Sequence, residues 1–243
     1  MYVQDLRTGA GAAWNAGARF PAASTLKVAI AIEVLRVLDG KPRRGSRIDS
    51  LLRKAIIPSD DQAANDLLVW LGGSTVGGAA RVNSLFRALG MANTDMYGGY
   101  IVQQGLIPVR TNDQPSFVGK RTTAADLATL MRELNLAGVG KGRLARVYRG
   151  SFVPSDARFL LYLLAHTQVS RIDRFLPGGT TTLQKAGWIR QARHDAGLVH
   201  WAGGSFVAVV LTWNQRAVGI SSDVLAGRVG RAAYLRLRRA ETP

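Results

Sequence analysis

Cysteine is absent from all 243 residues, which excludes disulfides and thiol chemistry and leaves the redox compartment open. Histidine is scarce: His166, His194 and His200 are too few and too dispersed for a metal site, and no cofactor is expected. Long apolar runs are missing as well. The best, FVAVVLTW, has the length of a strand and falls short of the roughly 18 residues that a membrane helix needs. Acids are outnumbered, with 16 Asp and Glu against 32 Lys and Arg, a formal net charge of +16 and a pI near 11.2. No helix-turn-helix, zinc-finger or aromatic-interleaved basic box accompanies that charge, so a nucleic-acid partner is not expected. The arginines are scattered, with concentrations only at 41–47 and 235–239, and read as a generally basic surface, with an anionic surface such as a wall polymer or membrane, or no partner at all, left open. The first residues, MYVQDLRTG, read as a strand with no signal peptide ahead of it. Either the protein is cytoplasmic or an export segment precedes this chain.

What is present suffices for a substantial core, since 47% of the residues are hydrophobic. Residues 2–8 and 12–19, joined by Gly9 to Gly11, read as a β-hairpin. Helices are expected at 24–40, 48–57, 59–73, 74–91, 122–135, over RLARVYRG, at 155–167 and at 222–239, the last with a basic outer face. Residues 92–120 show no periodicity and read as a long loop, of a length uncommon unless it is functional or mobile. Strands are expected at 181–189, 194–202 and 205–213. Strands at both chain ends with helices between them predict an α/β fold. One antiparallel sheet is built from residues 1–40 and 180–243, and an all-helical subdomain, 41–179, is inserted. Gly72-Gly73 and Gly77-Gly78 read as a helix stop and start, since no P-loop Lys-Ser/Thr follows. Trp14, Trp70, Trp201 and Trp213 are expected in the core.

The chain is organised around FPAASTLKVAIAIEVLRVLDG, residues 20–40. Leu26, Ala29, Ile30, Ala31, Val34, Leu35 and Leu38 form a broad apolar stripe, which predicts a central helix. Lys27, the only charge in its first two turns, stands three residues after Ser24, so hydroxyl and ammonium share a face. Free N–H groups at a helix start favour developing negative charge, and a lysine in an apolar setting loses pKa and can activate a hydroxyl. Taken alone the motif is short and common, and a capping Ser24 with a snorkelling Lys27 is its simpler explanation.

Two further pieces change that balance: Ser59-Asp60-Asp61 at the entry to a helix, and Lys185-Ala186-Gly187 on a strand. In this order and setting they resemble the S-x-x-K, S-D-N and K-T-G motifs of the penicillin-recognising serine enzymes, the class A β-lactamases and D,D-peptidases. The likeness is best around SDDQAANDLLVWLGG and ASTLKVAIAIEVL, and it spans the chain in element order. It implies a β-lactamase-like fold and an extracytoplasmic home. The substrate it implies is a β-lactam or a peptidoglycan-like acyl donor. Ser24 would be the nucleophile and Lys27 its activator. Ser59 would relay a proton to the leaving group, and Lys185 would bind a substrate carboxylate. The backbone N–H groups of Ser24 and Trp188 would form the oxyanion hole, and Gly187 would let substrate approach the strand.

The sequence also departs from the family. Asp61 replaces an asparagine that can donate to a substrate carbonyl, whereas a carboxylate only accepts. Asp61 must therefore be protonated, pair with Lys27, or face a different substrate. Ala186 lacks the usual hydroxyl, and Arg190 or Arg193 could replace its carboxylate contact; His194 stands nearby and reads as structural. Residues 92–121 contain no glutamate, so the family's E-x-x-L-N loop has no counterpart, with Asp113 the nearest substitute. The expectation is a serine hydrolase that acylates but hydrolyses β-lactams poorly. A true β-lactamase, a D,D-peptidase or esterase, and an inactive polyanion- or wall-binding module are the alternatives.

Overall fold

A computed structural model describes residues 1–38, 40–100 and 120–239. Asp113, and the part of the long loop at 101–119, lie outside the described residues. The chain opens with β1 (Tyr2–Asp5), turns through Gly9 at φ +75°, and returns as β2 (Gly11–Ala13). The hairpin of the sequence is thus present, with a second arm far shorter than 12–19. A two-residue strand, β3 (Phe20–Pro21), follows. It leads into a 3-10 turn over Ala23–Leu26 and then α1 (Lys27–Leu38). The predicted helix therefore begins as a tighter turn and becomes α-helical only at Lys27.

Side chains capped the next three helices as their sequences suggest. In α2 (Arg47–Ile56) Ser46 accepts the Asp49 N–H at 3.3 Å. In α3 (Asp61–Gly72) Asp60 accepts that of Ala63 at 2.6 Å, and in α4 (Thr75–Leu89) Ser74 accepts that of Gly77 at 2.9 Å. Strands β4 (Asp95–Met96) and β5 (Lys120–Thr122) were not legible in the sequence. They join β3 in a small sheet of order β3-β5-β4. Then come α5 (Ala124–Ala137), α6 (Gly142–Val147) and α7 (Pro154–Leu164). Three long strands, β6 (Thr181–Ile189), β7 (Ala192–Trp201) and β8 (Gly204–Trp213), and the final helix α8 (Ile220–Arg239) complete the chain.

The main sheet is antiparallel in the order β2-β1-β8-β7-β6, so the two chain ends meet where Tyr2 pairs with Val209. Alternation along β8 covers both faces: Val207, Val209 and Leu211 join the core around α1, while Phe206, Ala208 and Val210 pack under α8. Helix α1 is buried from Lys27 through Leu35, so the charged Lys27 and Glu33 lie inside the protein.

The glycines between α3 and α4 do more than stop and start helices. A Cβ on Gly72 would lie 2.2 Å from the Gly77 backbone, and one on Gly78 would lie 2.2 Å from the Leu68 carbonyl oxygen. The two helices touch backbone to backbone there. Gly78→Ala is therefore expected to cost about 3 kcal/mol, the upper range for overpacking. Thermal unfolding should show it as a fall of about 6–12 °C in Tm. Gly17→Ala, whose Cβ meets nothing within 4 Å, should leave Tm unchanged.

The tryptophan expectation is corrected. Trp14, Trp70 and Trp213 are 71%, 41% and 45% exposed, and only Trp201 packs inward, against Phe206 and Tyr234. Trp70 lies on the outer face of α3 because Leu67, Leu68 and Leu71 occupy the inner one. Trp14 and Trp213 stand just past β2 and at the end of β8, beyond the covered part of the sheet.

Candidate active site

Ser24 lies in the 3-10 turn, where side chains at i and i+3 eclipse, and this brings it into line with Lys27. The turn is held from several sides. The Thr25 hydroxyl donates to the Ala22 carbonyl at 2.7 Å, and the Ala22 N–H donates to the Lys120 carbonyl at 3.0 Å. Ala23 sits at φ +48°, a conformation that costs a non-glycine residue about 1–3 kcal/mol. Strand β6 runs directly beside the turn: a Cβ on Gly187 would meet the Ser24 nitrogen at 3.0 Å. Glycine is needed for that approach.

Lys27 spends its three donors on the Ser59 carbonyl, on Ser59 Oγ at 3.2 Å and on Asp61 Oδ1 at 2.6 Å. Of the three sequence alternatives for Asp61, pairing with Lys27 is the one adopted. Burial lowers the Lys27 pKa, and Asp61 opposes the fall. Ser59 precedes α3 with φ +66°, placed there by the Asp60 cap and by an Asp60 N–H bond to the Lys54 carbonyl at 2.9 Å. Lys185 reaches the same hydroxyl from β6 at 2.7 Å and the Ala186 carbonyl at 3.1 Å. Burial, then repulsion from Lys27, brings its amine down to about 7. A hydroxyl has two acceptor positions and one proton. When both lysines are charged, each fills one acceptor position, and the Ser59 proton is left to point elsewhere.

Above this network lies a cleft of about 230 Å³, whose lining includes Ser24, Asp61, Tyr100, Lys120 and Trp188. Tyr100 is clamped by Asn65, which donates to its carbonyl at 2.8 Å and accepts its N–H at 2.6 Å. Its ring centroid lies 4.7 Å from Lys27 Nζ, its hydroxyl is buried without a hydrogen-bond partner among the described residues, and burial raises its pKa well above the usual phenol value. Sequence reasoning missed both Tyr100 and Lys120. They flank a stretch without periodicity, and only the Asn65 of the matching second segment hinted at a partner there.

The remaining expected site residues fall outside the cleft. Ala186 is buried and contributes its carbonyl. Arg190 is exposed in the β6–β7 turn and does not line the cleft. Arg193 pairs with Asp223 of α8 at 2.6 Å, because its register opposite Trp188 points it at the carboxylate that also takes Arg171. His194 is fully buried, with Nε2 2.6 Å from the Pro21 carbonyl and Nδ1 3.3 Å from the Thr212 N–H. Burial lowers it to about 4, so it is a neutral structural group.

The chain matches a known family. The chain fits the model of the Beta-lactamase enzyme family over residues 1–44 and 39–237, and it belongs to that family. No curated protein sequence matches it. Among solved structures it is similar to a leucine-to-glutamate mutant of PBP-A, described as an acyl-enzyme complex with penicillin G. The two are 24% identical with a TM-score of 0.74, over 98% of this chain and 89% of that one. A β-lactamase from Sphaerobacter thermophilus DSM 20745 gives 21% and 0.74, over 100% and 92%. An ancestral class A β-lactamase gives 23% and 0.74, over 97% and 92%. At these identities the structures share the fold. Among the described residues no helix is long and apolar enough to cross a membrane.

Proposed function

We propose that the protein is a serine acyl-transfer enzyme that forms an acyl-enzyme on Ser24 and releases it slowly to water. The supporting observation is Ser59 Oγ, 3.2 Å from Lys27 Nζ and 2.7 Å from Lys185 Nζ, beside the cleft that Ser24 lines. Ser24 Oγ attacks the acyl carbonyl, and its proton passes to the amine form of Lys27, which burial makes accessible. Lys27 returns a proton through Ser59 Oγ to the leaving nitrogen or oxygen as that bond breaks. The N–H groups of Ser24 and Trp188 take the developing oxyanion. Lys185 holds the substrate carboxylate. Asp61, unable to donate, stabilises the Lys27 ammonium that this transfer forms, 2.6 Å away.

Water attack on the acyl-enzyme calls for a general base, and residues 92–121 supply no glutamate. The leucine-to-glutamate mutant of PBP-A is described as a penicillin G acyl-enzyme, which supports an acyl-enzyme intermediate here. The acyl donor is β-lactam-like or peptidoglycan-like, and the basic surface suits an extracytoplasmic, wall-facing location.

Intact-protein mass after incubation with benzylpenicillin tests this. The wild type is expected to gain one penicillin mass that persists for hours, and Ser24→Ala to gain none. An adduct that forms and vanishes would mean β-lactamase turnover. No adduct at any time would remove penicillins as acyl donors and favour the polymer-binding alternative.

A further inference from the structure

Lys120 belongs to none of the three motifs, yet it stands in the wall of the cleft that holds Ser24. It is only 8% exposed, and its Nζ donates to the Gly99 carbonyl at 2.6 Å. Among the described residues its other contact is the Tyr100 ring, with the centroid 4.3 Å away. An ammonium has three donors, and one carbonyl and a ring face compensate poorly for the water it has lost. Among the described residues Asp61 is the acid that favours its charge, and Asp61 gives Oδ1 to Lys27 at 2.6 Å and so divides its support between two cations. Burial brings the Lys120 amine down only to about 8, so it stays largely charged at neutral pH.

The cation is also held at a fixed offset from the nucleophile. The Lys120 carbonyl accepts the Ala22 N–H at 3.0 Å, and the residues after it pair with Phe20 and Pro21. The Tyr100 wall beside it is equally rigid. A Cβ on Gly99 would lie 2.4 Å from Asn65 Oδ1, so the clamp on Tyr100 requires glycine there. Lys120 lines the cleft itself, whereas Lys185 belongs to the Ser59 network beneath it, so the two cations take different positions.

We infer that Lys120 is a specificity-determining residue that binds a carboxylate on the acyl side chain of the substrate, in addition to the carboxylate held by Lys185. The inference rests on the acyl-transfer reading above for the substrate class. An acyl donor with a second acidic group, such as an acidic peptide branch, fits this cleft better than one with a neutral side chain.

Equilibrium binding to Ser24→Ala tests this without turnover. Benzylpenicillin and carbenicillin differ by one side-chain carboxylate, and ampicillin carries an ammonium at the same position. By isothermal titration, carbenicillin should bind about tenfold tighter than benzylpenicillin, as a charged hydrogen bond allows. Adding Lys120→Met should bring the ratio to one or below, and adding Lys120→Arg should keep the preference. Equal affinities, tighter ampicillin, or a ratio untouched by Lys120→Met would overturn the inference and leave the acylation reading intact. Failure of all three penicillins to bind would overturn it as well, and the wild-type adduct experiment then reports separately on acylation.

Discussion

With Ser59 replaced by alanine, the rate constant for acylation of Ser24 by benzylpenicillin should fall by about 10²–10³-fold, the range of one proton-transfer group. The variant removes the one hydroxyl shared by Lys27 and Lys185 but spares most of the network. Lys27 keeps the Ser59 carbonyl and Asp61, and Lys185 keeps the Ala186 carbonyl. The loss should therefore appear in the limiting rate rather than in penicillin affinity. Because Ser59 sits at φ +66°, Ser59→Gly is the companion variant. It takes that conformation freely and should be as slow as alanine. A fall of less than about threefold in either would remove Ser59 from the proton path.

The second large effect is on pH. Lys185, at about 7, is charged below neutrality and loses its proton above it. As an ammonium it donates to Ser59 Oγ and attracts the substrate carboxylate. As an amine it does neither, and it accepts the Ser59 proton instead. Measured as the ratio of wild type to Lys185→Arg, so that Lys27 titrates in both, the second-order acylation constant should thus fall about tenfold per pH unit above 7, the slope for loss of a single required proton. Between pH 7 and 9 that amounts to about fiftyfold, because about half of Lys185 is already an amine at pH 7. In Lys185→Arg the guanidinium stays charged throughout, so this limb should flatten whatever the absolute rate. A ratio level to pH 9 would mean that Lys185 is held charged more strongly than its burial allows.

Much of this was legible in the sequence, for physical reasons that differ by region. Helix α1 announces itself because a broad apolar stripe has no other use, and α3 and α4 because Asp60 and Ser74 are side chains that cap helices. Ser24, Ser59 and Lys185 were picked out by their resemblance to the family's three motifs, and strands at both chain ends pointed to a shared sheet. Strands β3, β4 and β5 left no trace because pieces of two or three residues have no period; they exist only through partners far away in the chain. Lys120 and Tyr100 were illegible for the same reason, since nothing local distinguishes them from any basic or aromatic residue beside a loop. The Lys27–Asp61 pair could be named as an option but not chosen, because the choice depends on how far Lys27 reaches across to α3. The exposed tryptophans show the converse error, in which residue type was allowed to stand for position.

Strand β1 lies between β2, its immediate neighbour in sequence, and β8, near the far end of the chain. During synthesis the hairpin emerges first and must wait with the β1 edge open until residues 204–213 appear. The nucleophile turn follows the hairpin closely, but its facing strand β6 also arrives late. A nascent chain thus holds Ser24 without the wall that opposes it until the last strands dock. Truncation anywhere before β8 should leave an aggregation-prone fragment rather than a partly active one.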